Sequence, residues 1–180
     1  MDKADPAMVA YHDDEWGRPV SDDVALFERL ALEGFQAGLS WSTILHKREA
    51  FVRAFDSFDP ARVRTFDQAD RARLVADAGI VRNRAKIEAT IGNAAAFLAL
   101  AAERGSFASY LTAQLPRPAL ILAPDATPSG IPATTAESDA LSADLRRRGF
   151  RFVGSTIVYA FMQSVGLVDD HLPGCHRYRG

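Results

Sequence analysis

The sequence predicts an all-α protein. Apolar residues recur at helical spacing through most of the chain, capping residues stand in front of the apolar runs, and no alternating strand pattern of useful length occurs. Residues 5–19 read as an extended or irregular lead-in, from Asp5-Pro6 through an aromatic and charged cluster, Tyr11 to Trp16. The first clear helix begins near Ser21, with Asp22 and Asp23 suiting the positive end of its dipole, and runs to about Glu33. A second starts near Ser40 and reaches about Phe55, with Ile44, Phe51 and Phe55 on one face. Asp59-Pro60, a cap followed by proline, opens a short helix that ends near Phe66. Asp67 caps the next, with Leu74 and Val75 inward and Gly79 as its C-terminal glycine.

Asn83 or Arg84 opens the longest helix, to about Glu103, on the spacing of Ile87, Ile91, Ala94 and Leu98. Ser106 caps a short helix to about Gln114. Residues 115–133 hold five of the nine prolines and read as a long loop. Thr134-Thr135-Ala136-Glu137 reads as a capping box, opening a helix that ends before Gly149. A last helix spans about Ser155 to Val165, stopped by Gly166. The total is ~8 helices by periodicity and caps.

A length of 180 residues, 48% of them hydrophobic, suits one domain over residues 1–180 with a real core. No run of eighteen apolar residues occurs, so no membrane span is expected. The start, Met-Asp-Lys-Ala-Asp-Pro, has no apolar signal region. One cysteine, Cys175, excludes an internal disulfide and fits a reducing cytoplasm. A net charge of −2 argues against coating nucleic acid by bulk attraction. It leaves room for a local basic face that meets few phosphates, on a monomer.

Chemistry concentrates in Leu32-Glu33-Gly34-Phe35-Gln36-Ala37-Gly38-Leu39-Ser40-Trp41. Two glycines four apart disfavour helix and mark a turn. Glu33 ends an apolar run and is expected to be partly buried, where a carboxylate needs a partner such as a cationic ligand. Trp41 offers a flat face for a cation or a base. Residues 70–91 read as a helix, a tight turn at Gly79, and a helix with a basic start, Arg82, Arg84 and Lys86. That is either a phosphate site or an ordinary αα-hairpin with a solvated basic face.

The decapeptide, with Tyr11-His12-Asp13-Asp14-Glu15-Trp16-Gly17, resembles the 3-methyladenine DNA glycosylase I family from about Asp5 to Cys175. The resemblance implies a helix-hairpin-helix DNA glycosylase-like helical fold, with the hairpin at about 70–91 and the termini packed together. It implies a monofunctional base-excision repair enzyme, without lyase activity, acting on double-stranded DNA with alkylated adenine. Such an enzyme flips out 3-methyladenine and hydrolyses its N-glycosidic bond. The family's motif maps its base-reading glutamate to Glu33, with Tyr11, Trp16 and Trp41 around the base. It maps a wedge that enters the DNA to Gly38 and Leu39. Gly79, Arg82, Arg84 and Lys86 take the phosphate-binding hairpin.

His171 and Cys175 have a spacing that could place two ligands on one metal. The resemblance adds His12 and implies a structural Zn2+, with none needed for the chemistry. The family's fourth ligand is a cysteine in a Cys-x-Trp element near the N-terminus, which this sequence lacks; His176 or water would complete the shell. Two rivals stand beside this reading. One is a non-catalytic helix-hairpin-helix DNA-binding protein. The other is a metal-dependent phosphohydrolase built on His12-Asp13 and His171, which four histidines and a single His-Asp pair support poorly.

Overall fold

The computed structural model describes residues 5–114, 120–121 and 127–178. Among these lie nine helices: α1 (Pro6–Asp14), α2 (Asp23–Gln36), α3 (Trp41–Ala54), α4 (Pro60–Val63), α5 (Gln68–Ala76), α6 (Arg84–Arg104), α7 (Phe107–Gln114), α8 (Ala136–Arg147) and α9 (Ser155–Ser164). The predicted helical class is borne out. A pair of two-residue strands, β1 (Leu120–Ile121) and β2 (Val168–Asp169), was not foreseen; they run parallel, Leu120 beside Val168. The proline-rich stretch predicted over 115–133 falls partly outside the described residues.

Local capping chemistry starts most helices where expected. Ser40 accepts from the Thr43 amide, Asp67 from those of Ala69 and Asp70, and Asn83 from that of Lys86. Each satisfies a donor that the first helical turn leaves without a partner. Three expectations need correction. The lead-in is helical: Asp5 caps α1 and Pro6 takes its first position, the same pair that opens α4 at Asp59-Pro60. Residues 6–14 carry almost no amphipathic stripe, so periodicity does not reveal this helix, which is held by tertiary contacts at the buried Tyr11. The capping box of α8 is Thr135 with Ser138, one residue later than expected. Gly79 is not a helix terminator, because α5 stops at Ala76 with Asp77 as its cap. A side chain at Gly79 would press on Ala50 of α3 and on the Asp77 carboxylate, both 3.0 Å from a β-carbon there.

Helix α2 lies at the centre. It packs against α3, α6, α7 and α9, and buries Leu26, Phe27, Leu30, Leu32 and Phe35 almost completely. That burial carries the helix straight through Gly34, and the predicted turn comes only at Gly38, whose φ is +80°. Around α2 the core is strongly aromatic. Phe55 stacks on Phe58 at 5.4 Å between centroids, and Phe97 on Phe107 at 4.2 Å.

Lys86 also departs from expectation. It was predicted to bind DNA from the basic start of α6, but it is buried, and its Nζ donates to the carbonyls of Phe35 at 2.8 Å and Ala37 at 2.6 Å. The C-terminal end of a helix concentrates unpaired carbonyls and negative partial charge, and the ammonium satisfies both. Lys86 therefore ties α6 to the end of α2. Replacing Lys86 by Ala should cost about 2 kcal/mol, or roughly 4–8 °C in Tm, because two buried carbonyls lose a charged donor. A thermal melt unchanged within a degree would show that the ammonium does not hold this junction.

Candidate active site

A cavity of about 320 Å³ opens at the junction of α1, α2, α3 and α9. Its lining includes Tyr11, Trp16, Glu33, Gln36, Trp41 and Gln163. Tyr11, Trp16, Glu33 and Trp41 are the four residues predicted to handle a base, and the fold brings all four to this one space. The Tyr11 and Trp41 rings lie 5.1 Å apart between centroids, tilted by 43°. Trp16 stacks on His12 at 6.1 Å and meets the edge of His171 at 4.6 Å. The indole nitrogen of Trp41 is buried without a hydrogen-bond partner among the described residues. Aromatic walls with a few polar groups between them are the usual form of a small-molecule pocket.

Glu33 is 4% exposed and makes no hydrogen bond to any described residue. Burial pushes its carboxyl up to about 8, and only the field of Arg29 opposes the shift. Arg29 is the main residue that sequence reading missed. It is buried one helical turn before Glu33, and the i, i+4 spacing was the available signal. Its guanidinium does not bond Glu33. It donates to the Tyr11 hydroxyl at 3.2 Å and to Glu15 at 2.7 Å. Arg48 donates to the same Glu15 oxygen at 2.7 Å and to Glu28 at 2.7 Å. A guanidinium has no acceptor, so Tyr11 must accept from Arg29, and its own hydrogen is left to donate elsewhere. Burial also holds the Tyr11 hydroxyl well above its ordinary pKa, so it stays a neutral donor.

A larger cleft of about 670 Å³ lies on the other side of α1, lined by Glu15, Glu28, Arg48 and Arg53 among others. Arg48 there pairs with both Glu15 and Glu28. In the cavity, by contrast, Glu33 has no hydrogen bond, and a guest with the right chemistry can supply one.

The remaining predicted residues are dispersed. Leu39 sits on the Gly38 turn and is 41% exposed, one of three large hydrophobics that face solvent among the described residues. Its amide donates to the Gln36 carbonyl at 2.7 Å, which fixes the turn. Arg82 and Arg84 are exposed at the start of α6. The Gly79 amide donates to Asp77 at 2.7 Å and is not free for phosphate, and Lys47 donates to the Ala78 and Gly79 carbonyls at 3.1 Å each.

The residues predicted to hold zinc are only partly gathered. His12 Nε2 lies 3.4 Å from Cys175 Sγ, and the His12 and His171 rings meet edge to face at 5.2 Å. His171 is turned by Asp169, whose carboxylate takes its Nδ1 at 2.6 Å, and His12 Nδ1 is taken by Asp13 at 2.7 Å. That bond to His12 is the main reason the Asp13 carboxyl lies below its ordinary pKa. Among the described residues no group of three or more His, Cys, Asp or Glu side chains is arranged to hold a metal ion, so the predicted zinc site is not supported. Two converging donors do not make a closed four-ligand structural site.

Fold and cavity together define a helical protein with a buried carboxylate between aromatic walls, in a cavity of small-molecule size. Residues 1–178 match the model of the methyladenine glycosylase family, and the chain belongs to that family. It is 49% identical over 177 residues to the DNA-3-methyladenine glycosylase 1 of Escherichia coli (strain K12), covering 98% of this chain and 94% of that protein. A crystal structure of a 3-methyladenine DNA glycosylase I superposes with a TM-score of 0.94 at 46% identity, covering 98% of this chain and 97% of that one. A 3-methyladenine DNA glycosylase I from Staphylococcus aureus, solved to explain its recognition of 3-methyladenine, superposes with a TM-score of 0.93 at 36% identity. That match covers 99% of this chain and 94% of that one.

The electrostatics of Glu33 carry a stability test. A carboxyl raised from 4.5 to about 8 binds its proton more tightly in the folded state than in the unfolded chain. Its contribution is therefore fully present below pH 4.5 and is lost as pH rises through 8. Glu33→Gln removes that dependence. Its stability relative to wild type should climb between pH 5 and pH 8 by about 3.5 kcal/mol, at roughly 1.4 kcal/mol per pH unit in mid-range and less near either end. Urea unfolding across that range measures it, and a constant difference would show that Glu33 is not held in its neutral form.

Proposed function

We propose that this protein removes 3-methyladenine from double-stranded DNA by hydrolysing its N-glycosidic bond and leaving an abasic site. One observation carries the reading: a buried carboxylate without a hydrogen bond to any described residue, set between aromatic rings in a cavity large enough for one base. An adenine methylated at N3 is positively charged while attached to its sugar. Glu33 then meets a cation that compensates its own desolvation, and Tyr11, Trp16 and Trp41 meet it with their π faces. Normal adenine is neutral and gains neither term.

A base inside a duplex cannot enter such a cavity, so it must first leave the stack. Leu39 has the place and exposure to fill the gap, on a turn that the positive φ of Gly38 shapes. Arg82 and Arg84 at the exposed N-terminal end of α6 suit a backbone phosphate. Lys86 and the Gly79 amide have other partners and are left out of this surface. Once the base is held, its positive charge makes it a good leaving group. The electrons of the C1′–N bond pass into the ring, the base departs neutral, water delivers hydroxyl to C1′, and the proton of that water is released. No cofactor enters these steps. Among the described residues no lysine lines the cavity to form a Schiff base, which supports cleavage of the base alone with the strand left intact.

Release of free 3-methyladenine from methylated duplex DNA, with EDTA present throughout, tests the reading. Wild type should release it, and Glu33→Gln should be impaired by about 10-fold or more, since a hydrogen bond to a charged partner is worth about 1.5–3 kcal/mol. Because empty Glu33 is largely protonated below pH 8 and a cationic base favours its ionised form, wild-type release at limiting substrate should rise toward pH 8 and level off above it. The variant should lack that rise. Duplex binding without base release would make the protein a DNA binder instead. Leu39→Gly should weaken action on duplex more than on single-stranded DNA; equal loss on both would remove the wedge from the account.

A further inference from the structure

Gln163, on α9, lines the same cavity as Glu33 and lies far along the chain from the motif that carries it. Its amide nitrogen Nε2 donates to Asp170 Oδ2 at 2.6 Å. The same carboxylate oxygen accepts from the buried Tyr159 hydroxyl at 2.6 Å. Asp170 is itself 4% exposed, so this clasp is enclosed by protein. An ionised carboxylate only accepts hydrogen bonds, so it must face the nitrogen of the Gln163 amide and never the oxygen. A glutamine in solution turns either end outward. Here one end is committed, and Oε1, which has no protein partner among the described residues, is the amide atom left for a guest.

Resting on the base-excision reading above, we propose that Gln163 is a specificity-determining residue. It presents a fixed hydrogen-bond acceptor to the edge of the bound base, with Asp170 as the positioning residue that sets its direction. Gln163 offers oxygen to the guest at any pH, and Glu33 joins it once its carboxyl is ionised. That pattern suits a purine whose edge carries an amino group and penalises one with a carbonyl in its place, because two oxygens facing each other leave both without a donor. Charge selects the methylated base over the normal one, and the clasp selects amino over oxo. Asp170→Asn breaks the selection without removing a side chain, since an amide at 170 can face either end of Gln163.

The test compares binding of two free bases, 3-methyladenine and 3-methylhypoxanthine, its 6-oxo counterpart, by calorimetry with intact protein. Thermal melts alongside register folding. Wild type should prefer the amino base. Asp170→Asn should narrow the preference by about 3- to 10-fold, the worth of one hydrogen bond, chiefly by gaining affinity for the oxo base. Gln163→Met, similar in length and without an acceptor, should lose a comparable factor for the amino base; it carries the test alone if Asp170→Asn does not fold. An unchanged preference in both variants, even with lower affinities, overturns the proposal and leaves the clasp a structural contact. Equal affinity of wild type for the two bases overturns it as well. Failure of wild type to bind 3-methyladenine at all sinks the base-excision reading itself, and this inference with it.

Discussion

Arg29 is a guanidinium buried in a helical protein, and its hydrogen bonds run sideways rather than along its own helix. It joins α2 to α1 through the Tyr11 hydroxyl and Glu15, and Glu15 passes the connection to Arg48 on α3. Breaking such an arrangement from one side leaves a charge buried without a partner, which costs more than the pair contributes when intact. Three of the four helices that frame the cavity are thus held in one relative position by a polar network, beside a core rich in aromatic rings. Helix α1 depends on it most, since it presents almost no apolar face of its own.

The same choice of partners shapes the chemistry. Had Arg29 bonded Glu33, one turn along α2, the cavity would contain a neutralised pair with little to offer. Committing Arg29 to Tyr11 and Glu15 leaves Glu33 with only the field of Arg29 and no hydrogen bond from it, so burial dominates and the carboxyl rises to about 8. An empty cavity then tends to be neutral, and a cation entering it draws the carboxyl into its charged form. On the proposed function, recognition and ionisation become one event, a form of selection that shape alone does not provide. It also suits a reaction in which the leaving group brings its own positive charge, so that the protein needs to hold the base and admit water.

The basic hairpin divides in the same manner between structure and surface. Lys86 is drawn inward by the carbonyls that α2 leaves unpaired at its end, and Lys47 by those of the hairpin turn itself. Arg82 and Arg84 remain outside. Arg148, in the arginine run after α8, pairs with Glu103 and Asp144, and Arg147 with Asp144, so part of that charge is internally spent too. Counting basic residues would overstate the positive surface.

What the sequence by itself determined was what neighbouring residues decide between them. The helical class, the caps at Ser40, Asp59, Asp67 and Asn83, and the motif that places Glu33 and Trp41 within one turn of chain all rest on local periodicity and on hydrogen bonds spanning a few residues. Membership of the family was legible for the same reason, because the motif is contiguous. The tertiary structure decided what depends on distant partners. Lys86 became a helix cap through carbonyls 51 and 49 residues away, and Arg29 became a clamp through a hydroxyl 18 residues before it. His12 meets Cys175 across almost the whole chain without completing a metal group. Gln163 owes its direction to a carboxylate beyond the end of its own helix. A side chain's neighbours in sequence set its backbone, but whether its charge is buried, paired or free is set by whatever the fold packs against it.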